Sequence, residues 1–465
     1  MQLMNPREFF QKHKVGIIIF LIALAVRLTL FFINLNAAQG DFIDTIRGQD
    51  GYYEISKNLI EGNGFSSDSG PVFKPESLRP PVWIFIMAFV AKIFGSYVPV
   101  FILEIILGSF IPILGMYLSR RIISPKYVPV VGFLLALEPY SILLSILTIS
   151  ETCFTFLFLV SLVFLFRYVE EQSTRNAVWY GVFLGLAIMV KPTVQFFPII
   201  VPVALLFFLR KNNPAVMLKH FACFITVCLL IIAPWIYRNY KEFDAFGISA
   251  QPAYNLYTVL APTVLSIDSG RDFTTEHAAV HSIIYSRGET EITLANGDRY
   301  IKEALSIISE HKIALVKSIL ISIVTFFTHD GMLTVLGYAG ETVPNLLSKP
   351  ALILLLTDPL ELARDILAYS SSFGILIFFG RLFWIVVTFL FFVGGGFYLR
   401  TEKFSPFACV ALAVVAYFAL LTAVNGFGMN ARFRVPVNVF IFTFAIHGFF
   451  YLKRGIINKL SSHHA

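Results

Sequence analysis

The residues able to do chemistry in this chain are carboxylates and guanidinium groups flanked by long apolar runs. The richest stretch reads Gly40-Asp41-Phe42-Ile43-Asp44 and continues through Arg47-Gly48-Gln49-Asp50-Gly51-Tyr52-Tyr53-Glu54. A second acid, Glu151, stands with Ser150 and Thr152 in a tight turn between two apolar runs. Cations stand at comparable boundaries: Arg79 before Pro80-Pro81, Lys191 before Pro192, Arg238 after Pro234-Trp235-Ile236-Tyr237, and Arg432 and Arg434 before Val435-Pro436. Carboxylates suit proton transfer to or from a hydroxyl. Arginines offer fork-shaped donors that match phosphate oxygens. The combination suits chemistry on a phosphate-bearing molecule held at a membrane interface.

Each residue also has a plainer use. Asp50 stands where a helix N-cap would stand, before an amphipathic stretch with Tyr52, Ile55 and Leu59 on one face and Glu54, Lys57 and Asn58 off it. Boundary cations can extend to the interface without binding anything, which accounts for Lys92 or Lys241 alone. It accounts less well for Arg432 and Arg434, because outward-facing arginines oppose the usual orientation rule.

The elements positioning these residues follow from hydropathy. Of the residues, 57% are hydrophobic, 15% aromatic and 14% charged, against about 25% charged in soluble domains. An all-α polytopic membrane protein is expected. A span needs about 20 apolar residues. Candidates are 15–34, 97–118, 127–148, 152–167, 177–193, 194–210, 219–237, 373–399, 405–424 and 435–452. The run 15–34 is read as a permanent first span, being too long for a signal-peptide core. The net charge of +7 does not point to nucleic acid, because the basic residues sit in short clusters between apolar runs. With the N-terminus inside, Arg120, Arg121, Lys126, Arg167, Arg175, Arg210, Lys211, Lys219, Arg400, Lys403, Lys453 and Arg454 all fall inside. Residues 80–95 break this parity and are expected to lie at the outer surface. Residues 313–336 and 350–367 fit either a membrane hairpin or surface helices, so 10–12 spans are expected.

One membrane domain then covers 1–465. Its first outer loop, 35–96, carries interfacial helices, and an outer region, 238–372, forms a small elaboration with room for further membrane helices. Arg27 and Glu104 fall within spans on the outer half and are expected to pair, since an isolated charge there is costly. Cys153, Cys223, Cys228 and Cys409 form no C-x-x-C pair and read as small apolar fillers.

In their order along nearly the whole chain, these motifs resemble the GT-C superfamily of polyprenyl-phosphate-dependent glycosyltransferases. The similarity is greatest to bacterial relatives of protein O-mannosyltransferases and of the lipid A aminoarabinose transferase. It rests on Asp50-Gly51-Tyr52-Tyr53, Ile60-Glu61-Gly62, Arg79-Pro80-Pro81, Glu151, Pro234-Trp235 with Arg238-Asn239-Tyr240, and Arg432-Phe433-Arg434-Val435-Pro436. The resemblance implies a GT-C fold and transfer of a sugar from a polyprenyl-phosphate carrier on the outer face. It implies Asp50 as the catalytic acid of the first loop, with Arg79, Arg432 and Arg434 around the carrier phosphate. Two departures stand out: Arg79 replaces the lysine of the aminoarabinose transferase's Lys-Pro-Pro, and Glu151 replaces an aspartate of several relatives.

Lys191 and Arg238 join the phosphate-binding candidates from their boundary positions. Glu151 joins Asp50 as a catalytic candidate, and Asp41, Asp44, Tyr52 and Tyr53 as cavity residues. No cofactor is required; a divalent cation at Asp50, Asp41 and Glu151 is the alternative. The acceptor is a glycolipid, a cell-envelope glycan or a protein hydroxyl. The small outer region argues against recognition of a peptide sequon. The expected location is the bacterial plasma membrane, with both termini cytoplasmic. A lipid-carrier flippase or transporter, or a glycan polymerase or ligase, are the competing functions.

Overall fold

The structure, a computed structural model, describes residues 6–38, 50–208, 213–338, 372–401, 405–423 and 430–462, with positions 358, 360, 361 and 364 besides. Every regular element among the described residues is helical. Six helices are long and apolar enough to cross a membrane. In chain order they belong to α1 (Pro6–Ala37), α4 (Val98–Ser119), α7 (Glu151–Glu171), α10 (Pro214–Phe243), α17 (Ser372–Thr401) and α20 (Asn438–Ser462). Their outward faces carry apolar side chains such as Leu21, Ile33, Leu230, Phe378 and Phe389. Such a surface suits lipid and not water.

The ten expected spans therefore divide. Six coincide with these long helices. The others are shorter apolar helices: α5 (Val128–Leu137), α8 (Thr174–Val190), α9 (Phe197–Phe208) and α18 (Pro406–Thr422). The expected continuous span 127–148 is broken at Glu138, whose extended backbone ends α5. Its carboxylate accepts from the Tyr140 and Ser141 amides and so starts α6 (Pro139–Leu144). An acid capping a new helix interrupts the apolar run.

Two segments that break the parity, 80–95 with an expected surface position and 313–336 with two readings open, take definite shapes. Residues 80–95 form α3 (Pro81–Phe94), which buries Trp83, Ile84, Met87 and Ala91. Its 14 residues reach about 21 Å, short of a hydrocarbon core of about 30 Å. Residues 313–336 form α15 (Lys312–Thr328) and α16 (Met332–Tyr338), bent by 65°. Nearly all of 350–367 lies outside the described residues.

The amphipathic stretch after Asp50 is α2 (Tyr52–Glu61), with Tyr52 and Ile55 buried as the pattern predicts. Asn58, expected off that face, is buried too: its amide donates to the carbonyls of Ser66 and Asp68 at 2.7 and 2.8 Å. It thereby ties down the loop that leads to Arg79.

The region expected on the outer side contains a small helical unit: α11 (Gln251–Tyr254), a π-helical stretch Asn255–Leu260, α12 (Ala261–Ser269), α13 (Phe273–Ser286) and α14 (Gly297–Glu310). It has its own apolar cluster, including Tyr257, Val264, Ile284, Tyr300 and Ala304.

Arg27 and Glu104 do not pair. Arg27 donates to the carbonyls of Ala23 and Ala136, and Glu104 packs near Glu151 and the Cys153 amide. Two backbone carbonyls accept from one guanidinium nitrogen, and the carboxylate close enough to act on the Arg27 charge is that of Glu138.

Candidate active site

The site begins with a turn. Gly51, not Asp50, stands at the N-terminus of α2, in the left-handed conformation with φ of 74°. Glycine adopts that conformation without a Cβ penalty. The turn frees Asp50 from capping. Its carboxylate is instead bound by the guanidinium of Arg432.

Arg432 lies in α19 (Asn430–Arg434), at the entrance to the last helix. Its Nη2 donates to Asp50 and its Nε to Glu151, the first residue of α7. Lys191, at the end of α8, also donates to Glu151. Arg79 completes the ring: its Nε donates to the Asp50 carbonyl at 2.8 Å, and its Nη2 lies 3.6 Å from an Asp50 carboxylate oxygen. Three cations and two carboxylates from five separate segments thus meet at one point.

They border a cavity of about 570 Å³, lined among others by Asp50, Tyr52, Arg79, Lys191, Arg432 and Phe433. Uncharged polar groups face it as well: Thr193, Gln195, Gln251, Tyr254 and Asn255. Tyr52 anchors the floor, its hydroxyl 2.9 Å from the Ser150 hydroxyl, with the Arg79 guanidinium 5.5 Å from its ring centre.

Burial alone would raise the pKa of Asp50, but Arg432, Arg79 and Lys191 outweigh it and hold the carboxyl at about 2. Burial pushes the Tyr52 phenol up to about 12, against the opposing pull of Arg79. The acid is therefore ionised and the phenol protonated at neutral pH.

The opposite ends of α4 and α7 carry a different cluster. There Arg121 pairs with Glu170 at 2.9 Å, and Arg120, Arg121 and Arg167 surround the Tyr117 ring. Glu151 and Glu170 stand near the two ends of α7, about 28 Å apart at the helical rise, close to the thickness of a hydrocarbon core of about 30 Å.

The structure sorts the sequence candidates. It brings together Asp50, Tyr52, Arg79, Glu151, Lys191 and Arg432. Arg238 stands elsewhere, donating to the Glu76 carbonyl at 2.8 Å and packing on Phe65, Trp235 and Phe243. It braces the loop before Arg79 and does not line the cavity. Arg434 is buried over the Trp384 ring and donates to the Phe326 and Phe327 carbonyls. Two residues on from Arg432, it faces the helices instead. Tyr53 turns away to pack on Tyr97. Asp41 and Asp44 lie outside the described residues.

Sequence reasoning missed Gln251, Thr193 and Phe433. Phe433 lay in plain view between the two arginines, whereas Gln251 carries no motif. Among the described residues, no three His, Cys, Asp or Glu side chains are grouped to hold a metal ion. Asp50 and Glu151 are both engaged by the chain's own cations, and Asp41, the third candidate ligand, lies outside the described residues.

The family model described as dolichyl-phosphate-mannose-protein mannosyltransferase matches residues 78–237, a segment that includes Arg79, Glu151 and Lys191. No curated protein matches the sequence at a significant level. Among solved structures, the Archaeoglobus fulgidus oligosaccharyltransferase in its apo form aligns with TM-score 0.51 and 14% identity, over 97% of this chain and 52% of that one. The chain thus spans about half the length of that archaeal protein. The same archaeal oligosaccharyltransferase with an inhibitory peptide and a dolichol-phosphate aligns at TM-score 0.48 and 12% identity, over 97% of this chain and 52% of that one. ArnT from Cupriavidus metallidurans, in the apo state, aligns at TM-score 0.39 and 13% identity, over 92% of this chain and 76% of that one. The helical framework is that of the archaeal protein, and the chain is an all-α, multi-pass membrane protein with that fold.

Proposed function

We propose that this chain is a membrane glycosyltransferase that moves a sugar from a polyprenyl monophosphate to an acceptor hydroxyl. The observation that carries this reading is the bridging of Asp50 and Glu151 by Arg432 beside the cavity. Arg79, Lys191 and Arg432 exceed the two carboxylates by one positive charge. A phosphodiester between sugar and polyprenol carries one negative charge, which balances that excess. A diphosphate carrier brings two. The family model matched at residues 78–237 names a donor of the monophosphate class, which supports the same choice.

In this reading the acceptor hydroxyl attacks the anomeric carbon while Asp50 takes its proton. The C1–O bond breaks, and the phosphate leaves with the electron pair toward Arg79, Arg432 and Lys191. One displacement inverts the anomeric centre. A carboxyl held at about 2 is a weak base. An arriving phosphate competes for the arginines and so raises the basicity of Asp50 when the donor is in place. No step needs a metal ion.

The cavity side is then extracytoplasmic. The cluster of Arg120, Arg121 and Arg167 is cytoplasmic with both termini, and the membrane is the bacterial plasma membrane. The small helical unit 249–310 stays on the outer side. Acceptor classes are a glycolipid of the lipid A kind, an envelope glycan or a protein hydroxyl.

The test uses membrane vesicles that hold the protein together with envelope glycolipid, glycan and protein acceptors, supplied with a polyprenyl-monophosphate sugar radiolabelled in the sugar. Release of polyprenyl phosphate is expected, with a loss of about 100- to 10,000-fold in Asp50→Asn. Movement of intact carrier across the vesicle without bond cleavage would return the flippase reading. Consumption of diphosphate-linked chains alone would return the polymerase or ligase reading.

A further inference from the structure

Arg79 is held by more than Asp50. Its Nη1 donates to the side-chain carbonyl of Gln251 at 2.8 Å, from across 172 residues of sequence. The Gln251 amide nitrogen in turn donates to the Asn255 side-chain oxygen at 2.7 Å. Gln251 and Asn255 both line the cavity. Asn255 opens the π-helical stretch, a conformation that recurs at functional sites. Two edges of the Arg79 guanidinium are thus fixed, by the Asp50 carbonyl on Nε and by Gln251 on Nη1. Among the described residues, Nη2 has only the looser approach to Asp50, at 3.6 Å.

A planar guanidinium fixed at two nitrogens has no rotation left, so the third nitrogen has one position. Resting on the glycosyltransferase reading above, we propose that Gln251 is a positioning residue for the donor phosphate. It sets the plane of Arg79, and the Asn255 contact sets Gln251. The outer helical unit therefore takes part in binding the carrier headgroup.

A rival account makes Gln251 one more stitch between the outer unit and the 76–80 loop. That stitch exists without it. The Ala250 amide donates to the Ser77 carbonyl at 2.9 Å, the Leu294 amide to the Ser77 hydroxyl at 3.1 Å, and the Ser249 hydroxyl to the Leu78 carbonyl at 2.5 Å. Ser77 supplies the control, since its hydroxyl joins the two segments through the Leu294 amide without touching Arg79 or Gln251, whereas the Ser249 hydroxyl also accepts from the Gln251 amide.

The experiment measures binding of undecaprenyl phosphate to the detergent-solubilised full chain, beside thermal unfolding and steady-state kinetics. Gln251→Ala is expected to weaken binding about tenfold, in the range of a hydrogen bond to a charged group. Its effect falls on donor KM, with kcat changed less. Asn255→Ala, which leaves Gln251 in contact with Arg79, weakens binding less, and it carries the test if Gln251→Ala does not fold. Ser77→Ala lowers the unfolding temperature and leaves binding within twofold of wild type. Binding by Gln251→Ala within twofold of wild type overturns the proposal, as does an equal loss in Ser77→Ala. Failure of the wild-type chain to bind undecaprenyl phosphate would instead remove the donor assignment beneath it.

Discussion

The guanidinium of Arg432 binds the carboxylate of Asp50 across 382 residues of sequence, which joins the entrance of the last helix to the first loop. The same side chain reaches Glu151 through a different nitrogen. A lysine has one charged nitrogen and cannot present two fixed donors to two carboxylates. Arg432→Lys is therefore expected to lose transfer by at least about 100-fold while keeping the charge. Arg432→Gln leaves two carboxylates beside fewer cations and is expected to destabilise the fold by about 3–5 kcal/mol. Transfer in vesicles and thermal unfolding in detergent measure the two effects. Retention of near-normal turnover by the lysine variant would show that the bridge is dispensable.

The depressed pKa of Asp50 gives a pH signature. The carboxyl titrates near 3.8 when unfolded and at about 2 in the site. A depressed pKa means that ionised Asp50 stabilises the folded chain at pH above 3.8. That contribution fades as pH falls through about 2. The stability difference between wild type and Asp50→Asn is expected to be constant from pH 7 to about 4 and to shrink toward pH 2. Unfolding curves for both proteins across that range check it. In Arg79→Gln, which loses a cation beside the acid, the site pKa lies nearer 3.8, so the contribution is smaller and its fade is complete at higher pH. A difference already shrinking between pH 6 and 5 in wild type would mean that the cations do not control this acid.

Much of this site is legible because its residues stand at boundaries of apolar runs, as Arg79, Glu151, Lys191 and Arg432 do, whereas Asp50 reads from the residues alone as a helix cap and stands out through the resemblance of Asp50-Gly51-Tyr52-Tyr53. Position at a boundary does not fix which way a side chain turns. Arg434 follows Arg432 by two residues, which places it on another face of the chain, and it packs on Trp384. Gln251 carried no signal, because an uncharged residue in a polar segment has no reason to stand out. The same limit applies to the fold. Hydropathy located the membrane segments, whereas the break at Glu138 depends on a carboxylate capping α6, a local choice that an apolar window averages away.

Arg238 tests the difference between a boundary arginine and a binding one. It donates to the Glu76 carbonyl and to the Asn239 side chain, over three aromatic rings. Arg238→Ala is expected to cost about 1–3 kcal/mol of stability through the unpaired carbonyl and lost packing. Donor KM is expected to stay within about twofold at a temperature where the variant is folded, a change of under 1 kcal/mol. Unfolding and donor titration separate the two. A large loss of donor affinity in a stable variant would return Arg238 to the phosphate site.

The last helix must sit at the right depth for Arg432 to reach Asp50, and its packing on α17 sets that depth. A Cβ placed on Gly394 of α17 would meet the Phe444 carbonyl oxygen of α20 at 1.9 Å, and one on Gly448 would meet the Leu390 carbonyl oxygen at 2.2 Å. The two backbones touch there, as small residues permit in membrane helices. Gly396, two residues along α17, has nothing within 4 Å of its own Cβ position. Gly394→Ala must push α17 and α20 apart. It is expected to lower stability by about 1–3 kcal/mol, the usual cost of overpacking, and to reduce transfer by displacing Arg432. Gly396→Ala meets no neighbour and is expected to be neutral, or to stabilise by up to about 1 kcal/mol through helix propensity. Thermal unfolding of both variants, with transfer measured on each, decides the matter. Equal behaviour of the two would mean that the close approach of α17 and α20 does not hold the last helix in place.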